Sequence, residues 1–171
     1  RKALLGGVWE LNEGQYFSEF SRDLHVVKPY AIPHDWRRCL TIDYGLDMLA
    51  ALWIAQSPDG HSVVYRELYR PGLIISDAAA QILACETAGE RIDCRLAPPD
   101  LWNRRQETGR SAVELFADSG LDFVKSSNER VAGWLALHEL LMPRKDTDGA
   151  VRPRLTIFDT CRNLIRTLPA L

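Results

Sequence analysis

From residue 38 onward the chain alternates short apolar runs with turn formers, in a rhythm that predicts strands first and helices later. Apolar runs over 39–42, 49–56 and 61–69 predict three strands, and Ser57-Pro58-Asp59-Gly60 supplies a hairpin turn between the last two. The period then changes. Arg70-Pro71-Gly72 breaks the run, and Ala79, Ile82, Leu83 and Glu86 fall at helical spacing across 76–87, with Ser76 or Asp77 as the cap. Gly89 ends that helix, and 91–96 predicts a fourth strand that delivers the chain to Pro98-Pro99-Asp100. Ser111 and Glu114 form a capping box for a short helix that stops at Ser119-Gly120, and 121–124 predicts a fifth strand. Asn128 is expected to cap a longer helix, along which Val131, Trp134, Leu135, His138 and Leu141 keep helical periodicity up to Pro143. A polar loop over 145–149, a strand over 155–158 and a helix over 160–168 complete the pattern.

A hairpin meander followed by helices alternating with strands predicts an α/β fold. Its central sheet should be mixed, with the first three strands antiparallel and helices on both faces. Residues 1–35 read differently, with Trp9, Tyr16, Phe17 and Phe20 separated by polar residues and turn formers. They are expected to form an extended arm that packs onto something. The remaining stretch, 36–171, has a length suited to one domain.

Charge narrows the picture little. The 21 basic and 23 acidic residues leave a net charge of −2, so contact with a polyanion has to come from a local patch. Only Lys2, Lys28, Lys125 and Lys145 are lysines; the remaining basic residues are arginines, which suit bidentate phosphate contacts. A GC-rich genome produces the same bias. Cys39, Cys85, Cys94 and Cys161 show neither metal-ligand spacing nor a disulfide framework, so reduced thiols are expected. No apolar stretch approaches the roughly 20 residues that span a bilayer, and the basic, briefly apolar N-terminus is too short for a signal peptide. No phosphate-loop motif GxxxxGK[ST] occurs, which excludes that class of nucleotide hydrolase for this chain.

The candidate chemistry lies in two carboxylates. Asp43 ends the apolar run Leu40-Thr41-Ile42 and is followed by Tyr44-Gly45, while Asp100 follows the fourth predicted strand. Two acids at strand ends can share a divalent cation, although an aspartate beside a turn more commonly accepts a backbone hydrogen bond. Asp47 reads as a turn residue or an outer group near Asp43. His138, on the predicted apolar helix face, reads as a packed or hydrogen-bonded histidine, and Trp102 and Trp134 as core aromatics.

In this order the motifs resemble the ribonuclease H-like fold, and more specifically the C-terminal nuclease domain of phage terminase large subunits. The resemblance rests on Gly6-Gly7-Val8-Trp9 with Glu13-Gly14-Gln15-Tyr16-Phe17, Ile42-Asp43-Tyr44-Gly45, and Tyr65-Arg66-Glu67-Leu68-Tyr69. It continues through Ala97-Pro98-Pro99-Asp100-Leu101-Trp102, Lys125-Ser126-Ser127-Asn128-Glu129-Arg130 with Gly133-Trp134, and Cys161-Arg162-Asn163-Leu164-Ile165-Arg166-Thr167-Leu168-Pro169. It covers nearly the whole chain.

What the resemblance implies is a metal-dependent endonuclease that cuts concatemeric double-stranded DNA during viral packaging. Asp43 would bridge two magnesium or manganese ions and Asp100 would hold one of them. Gly45 would let a phosphate approach the strand end, a role that a plain turn glycine fits equally well. Lys125, Arg130, Arg104 and Arg105 are the candidates for contacting the DNA backbone, with solvated surface charge as the alternative. The family's third acid, on the C-terminal helix, has no counterpart here: the resemblance places it downstream of a stretch like 163–171, so the domain is expected to continue past Leu171, and Asp159, at the start of the last predicted helix, is a poor substitute. The resemblance also implies an upstream ATPase domain joined through the arm at 1–35, a small terminase subunit and a capsid portal as partners, and a place in the bacterial host cytoplasm. Two other readings stay open: a catalytically silent docking module of a decayed prophage, and another ribonuclease H-like nuclease such as a resolvase.

Overall fold

The computed structural model describes residues 16–45, 47–106, 108–145 and 149–170. The expectations for Trp9, for the motif segments at 6–9 and 13–15, and for the centre of the 145–149 loop lie outside the described residues. In chain order the strands are β1 (Val26–Val27), β2 (Arg37–Tyr44), β3 (Met48–Gln56), β4 (Ser62–Pro71), β5 (Cys94–Ala97), β6 (Val124–Lys125), β7 (Arg144–Lys145), β8 (Val151–Arg152) and β9 (Leu155–Phe158). The α-helices are α1 (Arg22–His25), α2 (Ile75–Cys85), α3 (Ala112–Asp118), α4 (Arg130–Leu141) and α5 (Arg162–Thr167), and a 3-10 turn spans Pro99–Trp102.

A seven-stranded sheet in the order β1-β9-β4-β3-β2-β5-β6 organises the domain. The pairs β2–β3 and β3–β4 are antiparallel, whereas β2–β5, β5–β6, β4–β9 and β1–β9 are parallel. This is a mixed sheet with β2, β3 and β4 antiparallel, as expected from the sequence for the first three strands of the core. The Ser57–Gly60 turn joins β3 to β4 as predicted: Gly60 adopts φ +89° and its N–H donates to the Ser57 carbonyl at 3.0 Å. Only glycine takes that left-handed conformation without steric cost.

Side-chain alternation gives the sheet two unlike faces. Leu49, Ala51, Trp53 and Ala55 of β3 and Leu40 and Ile42 of β2 are buried on one face. There Tyr44 packs edge-on against Phe116 of α3, with ring centroids 5.4 Å apart, and Trp53 Nε1–H reaches Glu86 at the end of α2 at 3.4 Å. The other face carries Cys39, Thr41 and Asp43 of β2 and Glu67 of β4. Glu67 anchors α5 to it: its carboxylate accepts hydrogen bonds from Asn163 N–H at 2.7 Å, Asn163 Nδ2 at 2.9 Å and Leu164 N–H at 2.9 Å. An α-helix leaves its first N–H groups without internal partners, and Glu67 satisfies two of them from β4. Glu67→Ala is therefore expected to cost about 1–3 kcal/mol by stranding those donors, measured by denaturant unfolding. A loss below a few tenths of a kcal/mol would refute this anchoring role.

Several local expectations change. Residues 22–27, read as part of an extended arm, form α1 and β1, and β1 pairs with β9 at the sheet edge. Phe17 and Phe20 enter the core. The imidazole of His25, fully buried, ties this segment to the end of α4 through Nε2–H to the Leu141 carbonyl at 2.9 Å. Helix α2 starts at Ile75 with Ile74 as its N-cap, so Ser76 and Asp77 lie inside the helix rather than before it. Glu129, not Asn128, occupies the N-cap position of α4, and its side chain makes no capping bond. The fifth predicted strand shifts to Val124–Lys125. The α3 capping box holds in both halves, with Ser111 Oγ accepting from the Glu114 N–H and the Glu114 carboxylate accepting from the Ser111 N–H.

Two corrections concern chemistry. Cys39 and Cys94 are joined by a disulfide, with Cα atoms 4.9 Å apart, in place of the expected free thiols; Cys85 and Cys161 are free. The two bonded cysteines are direct register partners on β2 and β5, a proximity that their separation of 55 positions conceals in the sequence. Trp134 is exposed rather than a core aromatic, as are Val131 and Leu135, and of the predicted α4 stripe only Leu141 is buried. No helix among the described residues is long and apolar enough to cross a membrane.

Candidate active site

Asp43 is the penultimate residue of β2, one residue past buried Ile42 and therefore on the opposite face from Ile42 and Tyr44. The parallel ladder between β2 and β5 runs from Cys39↔Cys94 to Thr41↔Leu96. Past that ladder, β2 continues to Asp43, and β5 passes through Pro98 into the 3-10 turn that carries Asp100. Both acids thus stand past the β2–β5 ladder, Asp43 near the carboxyl end of β2 and Asp100 beyond that of β5. In open α/β sheets this is where ligands bind, at the point where the strand order reverses. Here β2 is the reversal point, with β3 and β4 on one side and β5 and β6 on the other.

Both carboxylates are exposed, and neither makes a hydrogen bond or ion pair with a described residue. They differ in this from Asp93, which accepts from the Arg38 N–H at 2.9 Å, and from Glu90, which is held by Tyr65, Arg66 and Thr87. Burial pushes the Glu90 carboxyl up, but these donors together leave it below the usual carboxylate range. Hard, exposed carboxylate oxygens suit magnesium, which keeps several of its waters and takes only one or two carboxylates. Among the described residues no group of three or more His, Cys, Asp or Glu side chains is assembled to hold a metal ion. Asp43 and Asp100 each offer a donor of this kind, and no third acid is assembled with them among the described residues.

A cleft of about 880 Å³ opens beside Asp100. Leu73, Ile74 and Leu115 supply apolar wall, while Asp100, Arg104 and Arg105 supply charge. Tyr44 and Gly45 line it as well, but Asp43 does not. A methyl group on Gly45 would meet only the Met48 carbonyl at 3.7 Å, an ordinary contact, so the protein's own packing does not demand glycine there.

The basic candidates divide. Arg104 and Arg105 begin a hairpin-like turn closed by the Arg104↔Ser111 bridge and by Arg105 N–H to the Arg110 carbonyl at 3.0 Å. Arg104 also lies 3.7 Å from Glu114 but stays largely exposed. Lys125 Nζ sits 5.1 Å from the centre of the Trp102 ring, a cation–π contact that joins β6 to the Asp100 turn. Ser126 strengthens the same junction, its N–H and Oγ–H both donating to the Ala97 carbonyl at 2.9 and 3.0 Å. Arg130 opens α4 and does not line the cleft.

The remaining candidates have structural roles. Asp47 lies in the β2–β3 turn, where its backbone carbonyl accepts the Gly72 N–H at 3.1 Å. Asp159 pairs with Lys28 at 2.6 Å beyond β9, three strands away from β2. His138 bonds Glu19 through Nδ1 at 2.9 Å and packs against Tyr16 and Phe17. Sequence reasoning missed Glu67 as the anchor of α5 and the Cys39–Cys94 bond; only a known register could have revealed either.

No protein-family model and no curated protein sequence matches the chain. Solved structures of phage large terminases do resemble it. The nuclease domain of the P22 large terminase superposes with a TM-score of 0.68 at 15% identity, covering 92% of this chain and 79% of that one. The large terminase of a thermophilic bacteriophage, in complex with ADP, gives 0.70 at 16% identity, covering 96% of this chain and 38% of that one. The nuclease of the thermophilic phage G20c large terminase, with bound magnesium, gives 0.56 at 15% identity, covering 92% and 80%. At these identities the likeness establishes a shared fold. The chain spans about two fifths of the length of the ADP-bound terminase.

Proposed function

We propose that this chain, built on the fold it shares with phage terminase nucleases, is a metal-dependent DNA endonuclease domain of a viral packaging terminase. Its work would be to cut concatemeric double-stranded DNA. The observation that carries this reading is the placement of Asp43 and Asp100 at the carboxyl ends of two adjacent parallel strands, past their shared ladder and at the reversal point of the sheet. Asp43 and Asp100 would hold magnesium or manganese through hard oxygens. When bound, two such ions supply the positive charge that makes a water nucleophilic and stabilises the leaving oxygen of a phosphodiester. Lys125, Arg104 and Arg105 border the Asp100 turn and would hold backbone phosphates; Arg130 would extend that track onto α4. Such contacts position a duplex without reading its sequence, as a packaging nuclease requires. Residues 1–35 would lead from an upstream ATPase domain, with the small terminase subunit and the capsid portal as further partners.

The absence of a three-acid group among the described residues favours a second reading, a silent docking module. Calorimetric titration with manganese separates the two. The endonuclease reading expects weak binding by this chain, and nicking of supercoiled plasmid by a version extended past Leu171 to carry a third acid. DNA retention with neither metal binding nor nicking would establish the silent module instead.

A further inference from the structure

We infer that Cys39 and Cys94 form a redox couple that clamps β5 to β2, and that its state sets how firmly Asp43 and Asp100 bind divalent cations. The second half of this inference rests on the nuclease reading; the first does not. β5 has a weak hold on the sheet. It is four residues long and pairs with β2 over only three positions, whereas β2 pairs with β3 over all eight of its residues. On its other side β5 meets the two-residue strand β6. A short ladder of this kind opens at low cost, and β5 leads directly into Pro98, Pro99 and Asp100.

The disulfide sits at the first rung of the β2–β5 ladder. Asp93 grips the same spot through hydrogen bonds in both directions with the Arg38 backbone, at 2.8 and 2.9 Å. Cys39 occupies the same face of β2 as Asp43, four residues upstream. Both bonded cysteines are half-buried, so small thiols can reach them. The two remaining cysteines do not compete. Burial pushes the Cys161 thiol up to about 12, and burial raises the Cys85 thiol too, which suppresses the thiolate that exchange requires.

Oxidation removes two electrons and two protons from the thiols and forms the Sγ–Sγ bond, while oxidised glutathione is reduced to two glutathione thiols. Reduction by dithiothreitol reverses this. One thiolate attacks a cysteine sulfur, and the second then displaces the protein thiol and closes the oxidised six-membered ring.

The chain is prepared in both states and its thiols counted after denaturation; two are expected when oxidised and four when reduced. Hydrogen exchange of amides 94–97 should be at least severalfold faster in the reduced chain, and manganese affinity severalfold weaker. Cys39→Ser should lose the response to glutathione, and Cys85→Ser should keep it. Four thiols after oxidation, or equal exchange of β5 in both states, would overturn the clamp. Unequal exchange with equal manganese affinity would overturn its link to the acids. If neither state binds manganese, the nuclease reading fails, and the exchange rates alone decide whether the clamp exists.

Discussion

Asp43→Asn is expected to reduce manganese-dependent plasmid nicking by more than about 100-fold while leaving the fold intact. Loss of an outer partner of a metal ligand already costs about 10–100-fold in affinity or activity, and this substitution removes a proposed ligand itself. The carboxamide keeps the volume of the carboxylate but carries no charge, so it cannot offset the cation's positive charge. Stability should move by no more than about 0.5 kcal/mol, because the Asp43 side chain is exposed and its carboxylate bonds to no described residue. Asp47→Asn is the matched comparison. Asp47 stands four residues away, and its described contribution is a backbone carbonyl, so its variant should nick like the parent. Nicking by Asp43→Asn within twofold of the parent, in the version extended past Leu171, would remove Asp43 from the site.

The largest expected loss of stability comes from Trp53→Ala. Trp53 is fully buried at the centre of β3, the strand between the two longest antiparallel ladders. Its indole lies 5.4 Å from the Arg66 guanidinium and donates to Glu86, so one side chain links the sheet to α2. Truncating a buried aromatic costs about 3–5 kcal/mol through lost transfer energy and the cavity left behind. Against a total stability of about 5–15 kcal/mol, that is a large share, and the melting temperature should fall by roughly 10 °C. Urea unfolding monitored by circular dichroism checks it. A loss under about 1 kcal/mol would mean that the sheet repacks freely around the gap.

What the sequence made legible divides by the range of the interaction. The Ser111–Glu114 box was readable because donor and acceptor lie three residues apart and their chemistry is local. The central strands were readable from the runs at 39–42, 49–56 and 61–69, but not which side of 49–56 faces α2 and α3, since that run is apolar on both. The α4 stripe misled for a related reason. Val131, Ala132, Trp134, Leu137 and Leu140 fall all round the helix at about 100° per residue, so periodicity cannot pick a buried side, and packing buries only the end at Leu141. The Cys39–Cys94 bond and the grip of Glu67 on α5 join residues 55 and 96–97 positions apart. Strand order sets both. The two candidate acids were found one at a time from local pattern. Only the parallel β2–β5 pairing brings their strand ends side by side.

The outermost strands of the sheet, β1 and β6, are two residues each. Lys28 and Pro29 follow β1 directly, and β6 itself contains Lys125. A rim this short, ending in a charge or an imino acid, gives a neighbouring chain little backbone to pair with, and natural sheets use these devices to resist edge-to-edge stacking. The apolar wealth of β3 and β4 thus stays in the interior of the sheet, and concentrated solutions of the folded domain should resist growth into fibrils.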